Sequence, residues 1–224
     1  MTSRALLAVA LLASCAAPAL AEAPREQALA ALRDAGDVEA RRRGARDLAQ
    51  SGTMADLPAL AEALRDADTT VRGFAEAAMW SVWSRSGDDE VDRLFRVGVM
   101  QLSDRRLVPA IRTFTRIIER RPDFAEGWNK RATAYFLLGE FDKSLADCGE
   151  VMKRNPYHWG ALSGYGMIHL QESRPGQALA YFEKAIAVNP NLPQVQETID
   201  MLKALLIQKR KDMIHSPHTP GRTT

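Results

Sequence analysis

Apolar residues return at spacings of three and four along most of the chain, the interval that gathers them on one face of an α-helix. Leu29 and Leu32, then Leu57, Leu60 and Leu64, mark two such stripes. The pattern predicts helices over about 25–34, 38–50, 55–66 and 70–85, divided by Gly36-Asp37, Ser51-Gly52 and Asp66-Ala67-Asp68. Asp68 or Thr69 is available to cap the fourth of them. Near the other end Val195, Ile199, Leu202 and Leu206 form a further stripe. Pro193 fits its first turn, where a missing amide costs nothing, and Lys209-Arg210-Lys211 suits the negative end of the helix dipole.

Between these regions the pattern repeats itself. Pro122, Pro156 and Pro190 recur every 34 residues. The same step links Gly98, Ala132 and Gly166, then Ala110, Ser144 and Ala178, then Phe114, Cys148 and Phe182, then Ile117, Val151 and Ala185. Each register has a physical cause. The two small sets let antiparallel helices approach closely where they cross. The set containing Phe114 lies four residues after the second of them, on the same face, and so points into the pair. The prolines lack an amide and clash with a preceding turn, so each ends a unit.

These residues resemble the tetratricopeptide repeat. The middle unit, AEGWNKRATAYFLLGEFDKSLADCGEVMKRNP from Ala125 to Pro156, places Trp128, Tyr135, Gly139 and Phe141 at the family's signature positions. Its neighbours, Val91 to Pro122 and Trp159 to Pro190, keep the small residues and prolines but lose some aromatics. Two departures stand out: Arg131 replaces the usual leucine, and His169 stands where Tyr135 stands one unit earlier. Upstream, LRDADTTVRGFAEAAMW from Leu64 to Trp80 resembles a short HEAT-type repeat. Leu32-Arg33-Asp34-Ala35 answers Leu64-Arg65-Asp66-Ala67, and Arg42 with Ala45 answers Arg72 with Ala75.

The resemblance implies an all-α, right-handed helical-repeat solenoid. HEAT-like pairs would occupy 22–90 and three tetratricopeptide pairs 91–190, as units 91–124, 125–158 and 159–192. A capping helix over 193–212 would cover the last apolar face, followed by a disordered tail at 213–224. On this reading the helix pairs form one continuous stack of about five, with the indoles of Trp80 and Trp83 buried near the junction.

The first residues follow another logic. Arg4, the short apolar run Ala5 to Leu12 and the small-x-small site Ala19-Leu20-Ala21 read as a signal peptide over 1–21, with a mature chain starting at Glu22 in the periplasm or outside the cell. The run is too short to span a bilayer. Leu12-Ala13-Ser14-Cys15 also resembles the bacterial lipobox, which would make the chain a lipid-anchored outer-membrane assembly factor beginning at Cys15. Cleavage after Ala21 is the first expectation, because Ala16 to Leu20 continues into a well-formed site. Either route leaves Cys148 without a partner in the same chain, so no intramolecular disulfide forms.

Chemistry is sparse. The chain has no phosphate-cradling glycine loop, nucleophile elbow or zinc-protease motif, so no catalytic residue, cofactor or metal is expected, and an enzyme or a metal-binding protein is the distant third reading. His158 reads as a solvent-facing loop residue and His169 as packed; His215 and His218 form an H-x-x-H without further ligands. Cys148, in a phenylalanine's register, reads as buried and inert. A formal net charge of +2 does not announce nucleic acid. Arg41-Arg42-Arg43, Arg105-Arg106 and Arg120-Arg121 alternate with acids at helix ends, leaving anionic lipid or an acidic partner as the alternative.

In the family, the first helix of each pair lines a concave groove. Carried over by position, its lining here is Phe95, Val99 and Leu102, then Asn129, Thr133 and Phe136, then Ser163, Met167 and Leu170. Leu102 and Leu170 suit packing on a neighbouring element equally well. Repeats that hold the carboxylate ends of heat-shock chaperones resemble one another in placing lysine, arginine and asparagine here, and this lining is mostly apolar. The expected partner is therefore a protein or peptide with an apolar or amphipathic segment, and the expected role a non-catalytic, exported scaffold.

Overall fold

Helix starts are written into the aspartates. Asp37 accepts the amide of Ala40, Asp68 that of Val71, and Asp88 those of Glu90 and Val91, each satisfying donors that a first helical turn leaves free. The computed structural model describes residues 16–215, and within them the elements are helical throughout. They are α1 (Ala16–Leu32), α2 (Val38–Ser51), a 3₁₀ turn (Met54–Asp56), α3 (Leu57–Ala63), α4 (Thr69–Trp83), α5 (Asp89–Ser103), α6 (Leu107–Arg120), α7 (Ala125–Leu138), α8 (Phe141–Arg154), α9 (Trp159–Gln171), α10 (Pro175–Val188) and α11 (Pro193–His215). The apolar run 5–12, Cys15 and His218 lie outside the described residues.

In the C-terminal half, α5 pairs with α6, α7 with α8 and α9 with α10, and the pairs stack in chain order. Close approach is set where expected. A Cβ on Gly98 would come within 2.6 Å of the Phe114 ring, and one on Gly166 within 2.7 Å of Phe182. The turns inside the pairs share one more register, hidden by residue type: Arg105, Gly139 and Ser173 all adopt positive φ, at 59°, 82° and 59°. The following amide then bonds back to the carbonyl of Gln101, Tyr135 or His169, a left-handed helix ending that only the middle unit makes with glycine.

Arg131, the departure from leucine, is accommodated by charge pairing. Its guanidinium makes two 2.8 Å bonds to buried Asp147 on α8 and a third, 3.0 Å, to Thr115 on α6. His169 packs beside Tyr181 and meets Glu172 at 3.1 Å.

The N-terminal half forms two helix pairs held by cross-pair arginine–aspartate contacts: Arg25–Asp56, Arg41–Asp66 and Arg42–Asp68. Arg41 clasps the carbonyls of Asp34 and Ala35 as Arg72 clasps those of Asp66 and Ala67. The counterpart of Arg72 is thus Arg41 and not Arg42, whose side chain reaches Asp68.

The position of this half corrects the picture of a single end-to-end stack. Instead of placing α4 on α5 and α6, the chain lays the N-terminal pairs along the turns between units. Trp83, Val82 and Leu64 share one apolar core with Trp159, Leu162 and Ala185, with Tyr157, Val188 and Leu192 at its rim. Polar contacts lock the same seam: Arg65 donates to the carbonyls of Ala187 and Val188, and Asn191 to that of Leu64 at 2.8 Å. The seam itself obeys the 34-residue period, since Asn155 and Asn189 are both fully buried and cap equivalent turns by accepting the amides of Tyr157 and Asn191.

Helix α11 buries Ile199 and Leu202 against Ala178 and Phe182 and covers the last pair. It continues to His215, so residues 213–215, expected in a disordered tail, are helical. Because Ala178 has no exposed surface at the α9–α10 crossing, Ala178→Leu is expected to cost about 1–3 kcal/mol by overpacking. Denaturant unfolding measures it, and an unchanged midpoint would contradict the crossing.

Candidate functional site

Between α7 and α9, with α8 as its floor, lies a cavity of about 150 Å³. Its cause is a trade in volume. The first and third units set a glycine on the first helix against a phenylalanine on the second, Gly98 with Phe114 and Gly166 with Phe182. The middle unit sets Ala132 against Cys148, so no ring fills the space, and Gly160 and Gly164 on α9 add no side chain to close it. Burial, reinforced by the charge of Asp147 and opposed by a hydrogen bond with Ser144, pushes the Cys148 thiol up to about 12. It remains protonated at neutral pH and is not a nucleophile.

Four positions proposed for the groove meet at this cavity: Asn129, Thr133 and Phe136 from α7 and Met167 from α9. Thr133 and Met167 are exposed, Phe136 is half-buried, and the Phe136 ring leans on Phe141 at 5.7 Å. The others stand elsewhere. Ser163 is half-buried outside the lining. Phe95 is buried against Phe114 and Phe124, with Val99 and Leu102 packed on that cluster, and Leu170 packs against the core formed by Phe182 and α11. Packing on a neighbour is thus what Leu102 and Leu170 do.

Beside the cavity lies a polar cluster that the pattern did not foretell. His158 is fully buried, not the solvent-facing loop residue expected, because α4 of the N-terminal half covers the turn it occupies. Its ring stacks on Trp83 at 4.6 Å and 18°, edge-on to Trp80 at 5.8 Å. The amide of Ala161, in the first turn of α9, points at His158 Nδ1 at 3.1 Å, so that nitrogen accepts and the ring proton sits on Nε2. Nε2 donates to Glu126 Oε1 at 2.5 Å. Asn129 donates to both Glu126 oxygens, at 3.1 and 3.3 Å, and Lys130 lies 3.5 Å away while passing over Trp80. Burial raises the Glu126 pKa, but His158, Lys130 and Asn129 outweigh it and bring the carboxyl down to about 2.

Cluster and cavity are joined through Gly160. It lines the cavity, and a Cβ there would come within 3.0 Å of His158 and 3.5 Å of Trp80. Asn129 also belongs to both, as a Glu126 ligand and part of the wall. The N-terminal half therefore bounds the α7–α9 groove at one end. Among the described residues no group of three or more histidine, cysteine, aspartate or glutamate side chains is placed to hold a metal ion, and no helix is long and apolar enough to cross a membrane.

Antiparallel helix pairs of constant length, stacked so that first helices share one face, define a helical-repeat protein of the kind that displays a groove. Residues 161–192 match the family model described as "Tetratricopeptide repeat", and the two helix pairs before them have the same paired, stacked arrangement. The match falls on the third unit; the middle one departs at Arg131 and Cys148. A TPR repeat-containing protein of Rhizobium etli is 30% identical over 128 residues, covering 57% of this chain and 63% of that protein. Anaphase-promoting complex subunit 3 of Schizosaccharomyces pombe is 28% identical over 82 residues, covering 37% of this chain and 12% of that protein. The chain thus spans less than two thirds of the length of either relative. Among solved structures, the first TPR domain of Spaghetti (RPAP3), bound to the HSP90 peptide SRMEEVD, superposes with a TM-score of 0.51 at 20% identity over 53% of this chain and 94% of that one. The Sgt2 TPR domain from Aspergillus fumigatus does so with a TM-score of 0.51 at 19% identity, over 61% and 89%. These likenesses are of fold.

Breaking the buried pair from one side is expected to be severe. His158→Phe keeps a ring on Trp83 but leaves Glu126 buried without its nearest donor, and should cost about 3–5 kcal/mol. The double variant Glu126→Leu/His158→Phe should recover most of that loss; denaturant unfolding of all three forms checks it. Because the Glu126 pKa is lower folded than unfolded, its contribution is complete above its ordinary value of 4.5 and is lost as pH falls through about 2. Unfolding measured from pH 5 to pH 2 should therefore show a steeper decline for the wild type than for the double variant.

Proposed function

We propose that this chain is an exported, non-catalytic tetratricopeptide-repeat scaffold that docks a protein partner in the bacterial envelope, gripping an apolar or amphipathic segment at the α7–α9 groove. The observation that carries the reading is the vacant volume opposite Cys148, open to the groove and rimmed by Phe136, Met167 and Thr133. It is large enough for one apolar side chain, and such an anchor supplies much of the affinity in groove recognition. Thr133 adds a polar atom at the rim, where the backbone of a bound segment would run, and Asn129 adds one in the buried wall. The acidic SRMEEVD peptide held by the Spaghetti domain is a poor guide to the ligand here. No arginine lines this cavity and no lysine does, and Glu126 sits behind Asn129. Export rests on the leader over 1–21, and a lipid-anchored form beginning at Cys15 is its alternative.

Two experiments test the two parts. Ala132→Gly with Cys148→Phe transplants the glycine–phenylalanine pair of the outer units and should fill the cavity with the fold intact; Phe136→Glu with Met167→Glu should repel an apolar segment. Both variants are expected to lose partner crosslinks in the envelope while circular dichroism stays that of the wild type, and retention of crosslinks by both would move the interaction elsewhere. For export, mass spectrometry of the mature protein should find Glu22 at the N-terminus. A diacylated Cys15 would select the anchored form, and an intact Met1 would remove export from the reading.

A further inference from the structure

The first tetratricopeptide unit carries a stacking face on which none of the described residues stacks. Three registers define that face: Arg93, Gly127, Ala161 and Val195; Val97, Arg131, Tyr165 and Ile199; Met100, Ala134, Ile168 and Leu202. In later units these positions lie against the preceding helix pair. A Cβ on Gly127 would come within 2.9 Å of Ile117, and Ala134 and Ile168 are fully buried. In α11, which stands where a fourth unit's first helix would, Ile199 and Leu202 are each 2% exposed. On α5, by contrast, Val97 is 40% and Met100 56% exposed, because the N-terminal half lies along the seam of the inter-unit turns and leaves this face open.

The open face is self-complementary. Arg93, Val97, Met100 and Asp104 follow one another at helical spacings of four, three and four, a single exposed stripe with a cation at its start and an anion at its end. Neither charged side chain has a hydrogen-bond or ion-pair partner among the described residues. We propose that a second copy of this chain covers the stripe, with the two α5 helices antiparallel across a two-fold axis. Val97 then meets Met100 of the partner subunit, and Arg93 meets Asp104 of the partner subunit, each contact occurring twice. A parallel pairing would set Arg93 against itself; the antiparallel one satisfies every member of the stripe. Two-fold dimers are the commonest closed assembly, and here the partner supplies the helix contact that every later unit receives from its own chain.

Sedimentation velocity on the full chain over a wide concentration range tests the proposal. The wild type should show a reversible monomer–dimer equilibrium. Met100→Glu should raise the dissociation constant about tenfold or more, with unchanged circular dichroism. Arg93→Asp and Asp104→Arg should each do the same, by opposing like charges, and the double variant Arg93→Asp/Asp104→Arg should dimerise again because the ion pairs are restored in reverse. A wild type that stays monomeric throughout overturns the proposal, as does a dimer indifferent to Met100→Glu. So does a double variant that stays monomeric when both single variants have dissociated.

Discussion

The contact between Trp83 and His158 determines the shape of the molecule. It is a stack of an indole on an imidazole whose two nitrogens are already committed, one to the amide of Ala161 and the other to Glu126. A carboxylate taken out of water is costly unless its oxygens are satisfied; here Asn129 and Lys130 of α7 and His158 of the α8–α9 turn satisfy them, and Trp80 and Trp83 of α4 seal the cluster from water. The two halves of the chain are thereby fixed along the inter-unit turns. An apolar seam of Trp83, Trp159, Leu162 and Ala185 supplies the driving force, and the polar cluster supplies the register.

Two surfaces follow from that placement. By resting on the turns, α4 brings Trp80 to Gly160 and closes one end of the groove between α7 and α9. By the same act it leaves α5 uncovered, among the described residues, on the side where a preceding repeat would lie. The cavity opposite Cys148 has a separate origin, the absence in the middle unit of a ring that both neighbours possess. Repetition supplies the scaffold, and one local breach of it supplies the vacancy.

How much of this was legible in the sequence depends on the range of each interaction. The 34-residue period, the small residues at crossings and the aspartate caps act within one pair or between adjacent pairs, and they appear in the chain as spacing. Gly98 and Gly166 could be read as sites of close approach because their partners, Phe114 and Phe182, recur in step. The positive-φ turns at Arg105, Gly139 and Ser173 keep that step too, but the backbone conformation left only one glycine as a sign. Asn129, Thr133, Phe136 and Met167 were placed on the groove by position alone. Phe95, Val99, Leu102 and Leu170 share their registers and were drawn into neighbouring cores, a difference set by which helices flank them.

His158 marks the boundary between the two kinds of knowledge. Nothing near it in the chain distinguishes it from an exposed loop residue after a proline, and its burial comes from an indole 75 positions upstream. The sequence alone determined the helices, their pairing and the order of the repeats, because those arise from short-range periodicity and from steric limits on proline, glycine and small side chains. Only the tertiary structure decided where the N-terminal half rests, which groove positions face open space and which stacking face lacks a partner. Those outcomes turn on contacts between distant segments, whose energy depends on shape and desolvation and leaves no period in the chain.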